Sequence, residues 1–361
     1  MTPAERLARL RLIRTPRVGP VSWHHLMQRF GSGEAALDAL PDLALRGGGG
    51  MPRIASAELA QREIERVAEL GARHLFSDED DYSPMLRETE GTPAVVVVRG
   101  GTAMLHRPCV AIVGARNASA IANRFARQIA ADLASRGVTV VSGLARGVDT
   151  AAHVGALGGA TAAVIASGID IAFPPENAEL QEKIATDQLL IAEQPPGTEP
   201  LARHFPARNR IIAGLAHGTV VIEAAPKSGS LITARRAGDY GREVMAVPGS
   251  PLDPRAQGCN QLIREGATLI QNVDDILEAL GPIDGRMIGA RRAVVREEAV
   301  IVDMRDTDRH AVTALLSPTP VAVDEIVRQS GRPPASVQLI LLELELAGRV
   351  ARHAGARVSL M

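Results

Sequence analysis

Cysteine, lysine and aromatic residues are scarce in this sequence of 361 residues. The two cysteines, Cys109 and Cys259, are far apart and form neither a CxxC pair nor a zinc-ligand spacing. A disulfide framework is therefore excluded, and a reducing cytoplasm is the expected location. We expect neither a metal nor a cofactor.

Long apolar runs are also missing from the chain. None reaches the roughly 18 residues that a membrane helix needs, and the charged N-terminus is unlike a secretory signal peptide. Hydrophobic residues make up 46% of the chain and charged residues 22%, which is typical of a globular protein. We expect two or three domains and no membrane partner.

The charge balance gives no general attraction to nucleic acid, since the net charge is −1. Residues 108–281 carry 15 Arg and Lys against 17 Asp and Glu, so an anion-binding site there needs basic groups that converge. Lys183 and Lys227 are the only lysines among 40 basic residues. Arginine suits bidentate phosphate contacts, although codon usage in a GC-rich genome explains the same bias.

Residues 1–75 are predicted to form a small helical domain of the SAM-like or helix-hairpin-helix kind. A Gly-Pro turn at 19–20 precedes a helical spacing of apolar residues, namely Trp23, Leu26, Met27 and Phe30. Turn amides of such a unit can hold a DNA phosphate, but a plain packing module shows the same pattern. A glycine-rich loop at 46–51 and an amphipathic helix that ends at Gly71 complete the segment.

Residues 76–281 are predicted to form an extended Rossmann-like α/β domain with a doubly wound, mostly parallel sheet. Seven short apolar runs are separated mostly by helical stretches, and these runs are AVVVV, CVAIVG, VTVVSG, TAAVIASG, LLIAE, GTVVIE and REVMAVPG. Strands that are apolar almost throughout indicate a sheet covered on both faces.

Residues 282–298 are predicted to be a linker, and residues 299–361 a winged helix of three helices and a hairpin. The third helix contains Glu343 and Glu345, and it has no basic residue before Arg349. It is therefore poorly suited to the major groove of duplex DNA. It also has a packing face, formed by Leu339, Leu342 and Leu346. We expect this domain to serve protein contacts or to modulate the core.

Three turns with small residues follow predicted strands, at 113–119, 140–153 and 222–234. In a doubly wound sheet, ligands bind beyond the carboxyl ends of the strands. Each turn leads into a helix whose N-terminal amides, with a nearby cation, suit an anion. The candidate residues in these turns are Gly114, Arg116, Ser142, Gly143, Arg146, Gly147, Lys227, Ser228, Gly229 and Ser230.

These turns do not match the common nucleotide-binding motifs. The first lacks the G-x-G-x-x-G of dinucleotide-binding domains, and the next strand ends in Ser142 instead of an acidic residue. The segment APKSGS does not fit a Walker motif. Asp149 and His153, spaced i, i+4, could form an acid–base pair. The alternative is an aspartate favoured by the helix dipole and a buried, hydrogen-bonded histidine.

A further segment combines cations with an aromatic ring. Phe205 directly precedes a predicted helix start that contains Arg208, Asn209 and Arg210. Together they would make a minimal single-strand site, with charges for the phosphates and a ring for a base. Alternatively, Phe205 belongs to the core and the arginines are solvated.

Several of these segments, in this order, resemble the DprA (Smf) family of bacterial DNA-processing proteins. They are VAIVGARNAS, VVSGLARGVDTAAHVGAL, FPPEN, FPARNRIIAGLAHGTVVIEA, SGSLITARRAGDYGREVMAVPG and GCNQLIREGATLI. The resemblance is dense over residues 110–270. The sequence departs from the usual family pattern at Ser83, which replaces Pro, at Ala115, which replaces Ser or Thr, and at Phe173, which replaces Tyr.

The resemblance implies a protein that is not an enzyme. It would bind single-stranded DNA, protect it from nucleases and load RecA on it during natural transformation. The implied partners are single-stranded DNA, RecA, single-stranded DNA-binding protein and a second copy in a homodimer.

Two other functions are left open by the sequence. The same fold resembles that of cytokinin-activating phosphoribohydrolases, so an enzyme acting on a nucleotide-like ligand is the alternative. Its catalytic acid would be Glu223, at a strand end. A protein scaffold without affinity for DNA is the third interpretation.

Overall fold

The computed structural model describes residues 1–281, 306–353 and 355–361. The predicted linker at 282–298 lies outside the described residues. The chain divides into two compact units. We call Glu63–Arg291 the core unit, and Met1–Arg62 with Arg292–Met361 the end unit. Within the described ranges, no helix is both long and apolar enough to span a membrane.

The core unit is built on one nine-stranded sheet. Its strands are β1 (Arg73–Phe76), β2 (Val95–Gly100), β3 (Cys109–Gly114), β4 (Thr139–Ser142), β5 (Thr161–Ile165), β6 (Leu189–Ala192), β7 (Gly218–Ile222), β8 (Glu243–Ala246) and β9 (Thr268–Leu269). The order is β1-β2-β6-β5-β4-β3-β7-β8-β9. Strands β3 to β9 run parallel to their neighbours among themselves, whereas β2 pairs antiparallel with both β6 and β1.

Helices cover both faces of this sheet. Helix α4 (Ala57–Glu69) leads into it, and the others are α5 (Pro84–Arg87), α6 (Ala120–Ser135), α7 (Val148–Ala156), α8 (Ala178–Asp187), α9 (His204–Leu215), α10 (Ser230–Asp239), α11 (Gln257–Arg264) and α12 (Val273–Leu280). The predicted extended Rossmann-like, doubly wound, mostly parallel sheet is confirmed.

Strand β3 shows why the predicted strands are apolar throughout. Its successive side chains point to opposite faces of the sheet. Val110 and Ile112 pack in the layer formed by α6, α7 and α12. Ala111 and Val113 pack in the opposite layer, against α9 and α10. Because both layers are closed, Cys109 to Val113 are all buried, and only the last residue, Gly114, is partly exposed.

Two short strands are not indicated by the sequence pattern. Strand β1 lies at the end of the segment assigned to the helical domain at 1–75, and β9 has only two residues. Both lie at the edges of the sheet. Such strands are fixed by pairing with a neighbour, as Arg73 opposite Val98 shows for β1, and not by their own periodicity.

The strand order places a crevice beside the end of β3. The chain leaves β3 through α6 to reach β4 on one side, and β7 pairs with β3 on the other side. The helices that follow β3 and β7 therefore diverge and leave an opening beyond their carboxyl ends.

The end unit contains two small helical arrangements. The first has α1 (Pro3–Arg14), α2 (Pro20–Phe30) and α3 (Gly33–Arg46). The second has α13 (Asp306–Ala314), β10 (Val321–Ala322), α14 (Val323–Ser330), α15 (Pro334–Leu346), β11 (Val350–His353) and β12 (Arg357–Leu360). The strand order β10-β12-β11, with helices before it, is that of the predicted winged helix.

Gly114 is expected to be essential for the junction at the end of β3. A Cβ atom added there would lie 1.9 Å from the Ile222 carbonyl oxygen and 2.6 Å from Val148 Cγ2. Gly114→Ala should lower the free energy of unfolding by about 1–3 kcal/mol, the usual range for overpacking. Urea denaturation followed by circular dichroism measures this change.

The matched control for this substitution is Gly101→Ala. Gly101 also follows a strand, but a Cβ atom there has nothing within 4 Å. Equal stability of the two variants would contradict the proposed packing at the end of β3.

Candidate nucleic-acid interface

A cleft of about 870 Å³ lies beyond the carboxyl ends of β3 and β7. It brings together residues from all of the predicted segments, and the turn after β4 contributes Ala145 and Asp149, which are not among the candidate residues. Those lining it are Gly114, Arg116, Phe205, Arg208, Asn209, Lys227, Ser228, Gly229 and Ser230. A smaller adjoining cavity shares Arg116, Phe205 and Arg208 and adds Gly143 and Arg146.

The Phe205 ring lies within cation–π distance of two guanidinium groups. The Cζ atom of Arg116 is 5.2 Å from the ring centroid, and that of Arg208 is 5.9 Å from it. Phe173, which the sequence indicates only as a departure from the family pattern, meets Phe205 edge to face with centroids 5.9 Å apart. Phe205 is half-buried and Phe173 is exposed. These cation–π contacts orient a ring that borders the cleft.

The loop after β3 holds Arg116 at the mouth of the cleft. Gly147, at φ +76°, lets the next turn approach so closely that a Cβ atom there would be 2.3 Å from the Ala115 carbonyl oxygen. On the other side, Glu223 accepts hydrogen bonds from the Ser119 amide at 2.8 Å and its hydroxyl at 2.6 Å. Between these two anchors, Arg116 is exposed.

The turn after β4 already holds an anion, and that anion is Asp149. Its carboxylate accepts hydrogen bonds from the amides of Gly143, at 3.2 Å, and Ala145, at 3.4 Å. Ser142 is fully buried and donates to the Ile112 carbonyl oxygen. The amides that the sequence offers as a phosphate cradle in this turn are therefore used inside the protein.

Arg208 is buried above this turn, next to Asp149. Its Nη1 atom is 3.8 Å from the Asp149 carboxylate, and both side chains are almost fully buried. Burial raises the pKa of Asp149 and lowers that of Arg208, and the attraction between the two opposes both shifts. The Arg208 Nε atom has no hydrogen-bond partner within the described part of the chain.

Gly143 makes room for this buried guanidinium. A Cβ atom on Gly143 would lie 1.2 Å from Arg208 Nη1. The glycine is thus required for the close approach of a side chain, whereas the sequence suggests contact with a ligand.

The other cations of the site differ in how far they are neutralised. Arg210 is held by the Glu193 carboxylate and donates to the Gly91 carbonyl oxygen, so it is not one of the residues lining the cleft. Arg146 lies 3.5 Å from Glu176.

Arg255 also lines the cleft but is paired with Asp253, so Arg116 and Lys227 are the lining cations that remain for a ligand. Both are exposed, and neither forms an ion pair within residues 1–281 or the described C-terminal segments. Arg208 and Arg210, which the sequence suggests as candidates together with Arg116, differ from it because each is paired with a carboxylate of the protein.

The turn before α10 offers fewer amides than its sequence suggests. The Ser228 amide donates to the Ala225 carbonyl oxygen at 2.8 Å, and the Ser230 amide lies 3.4 Å from the Ser228 hydroxyl. Asn209 fixes the turn by donating to the Gly229 carbonyl oxygen at 3.2 Å. The two serine hydroxyls, 2.7 Å apart, line the cleft beside Lys227.

His153 has a structural environment and does not form an acid–base pair with Asp149. It is fully buried, and its Nδ1 atom is 2.8 Å from the Thr161 hydroxyl. That hydroxyl donates to the Val140 carbonyl oxygen, so His153 Nδ1 must be the donor in its own hydrogen bond. Burial, assisted by the charge of Arg208, lowers the pKa of His153 to about 3.

Glu223 is likewise occupied in holding the fold. Both of its oxygens accept from Ser119, at the start of α6. Nor is there, among the residues that the structure describes, a group of three or more His, Cys, Asp or Glu placed to hold a metal.

The fold and the cleft by themselves indicate a class of protein. This is a doubly wound α/β protein with an open cleft at its switch point, where uncommitted cations, hydroxyls and an aromatic ring meet. Such a surface suits a ligand with both phosphates and bases.

The comparisons with known proteins identify the family. The family described as DNA recombination-mediator protein A matches residues 73–281. A DprA-like N-terminal HHH domain matches residues 3–65, and a DprA winged helix domain matches residues 300–356. The chain belongs to this family, which confirms its resemblance to DprA (Smf) proteins.

Individual relatives agree with this assignment. Protein Smf of Synechocystis sp. is 33% identical over 379 residues, covering 94% of this chain and 95% of that protein. The structure of DNA processing protein A from Streptococcus pneumoniae is 41% identical, with a TM-score of 0.59 over 62% of this chain and 77% of that one.

A second solved structure concerns a relative and its ligand. It addresses the single-stranded DNA binding mode of DNA processing protein A from Helicobacter pylori, which is 28% identical to this chain. The TM-score is 0.53, and the match covers 58% of this chain and 95% of that one.

Acid is expected to destabilise the core unit through His153. The folded pKa is about 3 and the ordinary value is 6.5, so the unfolded chain binds this proton first as the pH falls below 6.5. Stability is therefore lost from there downward, by about 2 kcal/mol between pH 7 and pH 5 for this group alone. Urea unfolding at the two pH values measures this loss.

The variant His153→Gln isolates this group, because it cannot titrate and the other histidines are unchanged. Its stability should fall less between the two pH values than that of the wild type. An equal fall in both proteins would show that His153 is not the cause.

Proposed function

We propose that this protein binds single-stranded DNA in the cleft at the ends of β3 and β7. The observation that carries the proposal is Phe205, a half-buried ring at the cleft, flanked by Arg116 and Arg208. A ring with a cation beside it can stack on a base while the exposed Arg116 and Lys227 contact phosphates. The similarity to the Helicobacter pylori protein, whose structure concerns single-stranded DNA binding, supports this choice of ligand.

We further propose that the protein has the roles in recombination that its family resemblance implies. As a recombination mediator in the cytoplasm, the protein protects the incoming strand during natural transformation and loads RecA on it as a homodimer. The family description supports the mediator role. The test is RecA ATPase activity on a strand covered with single-stranded DNA-binding protein, which should rise when this protein is added.

The alternative of a nucleotide-processing enzyme has less support. Its candidate acid, Glu223, has both oxygens hydrogen-bonded to Ser119, and Asp149 and His153 are both buried and have other partners. We propose that the protein is not an enzyme. Incubation with nucleoside monophosphates, followed by chromatography, should show no product.

Binding of oligo-dT should weaken only moderately with salt. Two phosphates contacted, by Arg116 and Lys227, give a log–log slope of about −1.4, and Arg116→Ala should reduce it to about −0.7. Fluorescence anisotropy at several salt concentrations measures the slope. A slope that stays the same in the variant would contradict the role of Arg116.

Phe205→Ala should weaken binding and leave the salt slope unchanged, because the ring contacts a base and not a phosphate. The loss should be about 1–3 kcal/mol. Phe30→Ala is the matched control, since Phe30 is also half-buried with an arginine over its ring, at 5.8 Å, but belongs to the end unit. Equal effects of the two substitutions would remove Phe205 from the site.

Gly143→Ala should weaken oligo-dT binding, although Gly143 itself is not proposed to contact the DNA. The added methyl displaces the Arg208 guanidinium, and Phe205 then loses one of its two cations. We expect an affinity loss of about fivefold, or about 1 kcal/mol, in a protein whose circular dichroism spectrum is unchanged.

Gly158→Ala serves as the control for Gly143→Ala. Gly158 follows α7, the helix that carries Asp149, and a Cβ atom there meets nothing within 4 Å. An unchanged affinity in the folded Gly143→Ala protein would show that the position of Arg208 does not matter for binding.

A further inference from the structure

The third helix of the winged helix, α15, is buried on more than one side. Nine of its thirteen residues are buried, including the carboxylate of Glu343. A helix that is apolar around most of its circumference must pack on two sides. One side meets α13, α14 and β11 of the winged helix, and another meets α3 of the N-terminal helices.

The contact between α3 and α15 is close enough to involve backbone atoms. A Cβ atom on Gly47, which ends α3, would lie 2.0 Å from the Glu343 carbonyl oxygen. One on Gly49 would lie 2.6 Å from the Cα atom of Ala347. Such distances are reached only where two segments are packed against each other with glycine at the contact.

Polar groups connect the same two segments. Ser22 of α2 is fully buried and donates to Glu345 of α15 at 2.5 Å. The same carboxylate accepts from Arg352 of β11 at 2.8 Å. Glu345 therefore joins the N-terminal helices, α15 and the hairpin in one network.

The turn between α1 and α2 takes part in this contact. Arg17, at φ +71°, reaches the Leu346 carbonyl oxygen at 3.4 Å. A Cβ atom on Gly348 would be 2.4 Å from the Arg17 guanidinium carbon. This turn, whose amides the sequence offered to a DNA phosphate, thus lies beside the end of α15.

The basic residues of the hairpin are also partly used. Arg349 donates to the Gly47 carbonyl oxygen at 3.4 Å, and Arg352 is paired with Glu345. Arg309, on α13, is paired with the buried Glu343. Arg349 and Arg357 are nevertheless exposed.

We propose that the partner of α15 is the N-terminal helical domain of the same chain, and that this contact keeps both domains from binding duplex DNA. The surface that a winged helix would present to a major groove and the turn that a helix-hairpin-helix would present to a phosphate cover each other. The two end domains are then one body, available for contacts with proteins through its outer surface.

Hydrogen exchange of the full-length protein, measured peptide by peptide, tests this proposal with two glycine variants. Gly47→Ala places a methyl in the contact, whereas Gly50→Ala, in the same loop, places it where nothing lies within 4 Å. Peptides covering residues 17–30 and 334–346 should both exchange about tenfold faster in Gly47→Ala only. If only peptides around residue 47 respond, α15 and the N-terminal helices are not coupled, and the proposal is wrong.

The second part of the experiment adds duplex DNA to the wild-type protein. Exchange of residues 334–346 should not change, because α15 is already covered. Slower exchange there would show that the duplex reaches α15 and would overturn the proposal. Should Gly47→Ala fail to fold, Ser22→Ala removes one polar contact and should accelerate the same two peptides to a smaller extent.

Binding of oligo-dT separates this proposal from the function of the cleft. Both glycine variants leave the core unit intact and should bind oligo-dT as the wild type does. A loss of that binding in Gly47→Ala would contradict the separate role of the end unit.

Discussion

A carboxylate of the protein itself occupies the glycine-rich turn after β4, and the arrangement of the cleft depends on it. Asp149 takes the amides of Gly143 and Ala145 and holds Arg208 beneath the surface. Arg208 in turn lies beside Phe205, which is thereby kept at the edge of the cleft. A buried ion pair thus sets the position of the ring that we propose to stack on a base.

This arrangement explains how a chain with a net charge of −1 can present a site for a polyanion. Most of its basic residues near the cleft are neutralised, since Arg208 faces Asp149, Arg210 faces Glu193 and Arg146 lies near Glu176. Arg116 and Lys227, by contrast, line the cleft and are exposed. Attraction is therefore local, and affinity has to come largely from the ring and from directed contacts.

Much of the fold can be predicted from the sequence because both faces of the sheet are covered. Strands such as β3 are then apolar at every position and stand out between helices, whereas the edge strands β1 and β9 do not. The convergence of Arg116, Phe205 and Lys227 follows from the rule that ligands bind beyond the strand ends. Which residue fills each turn does not follow from that rule.

The turn after β4 illustrates this limit. Glycines and amides at a helix start predict that an anion binds there, and that prediction is satisfied by Asp149, which lies further along the same segment. Only the three-dimensional packing shows that Gly143 makes room for Arg208. Likewise, no local pattern shows that Arg210, which follows Arg208 on α9, is held by Glu193.

The structure of this protein bound to a short oligo-dT tests the central claim most directly. The account predicts a base against the Phe205 ring, phosphates beside Arg116 and Lys227, and an Asp149–Arg208 pair that stays in place beneath them. A strand bound elsewhere on the core unit, or a phosphate that replaces Asp149 at the Gly143 amide, would contradict it.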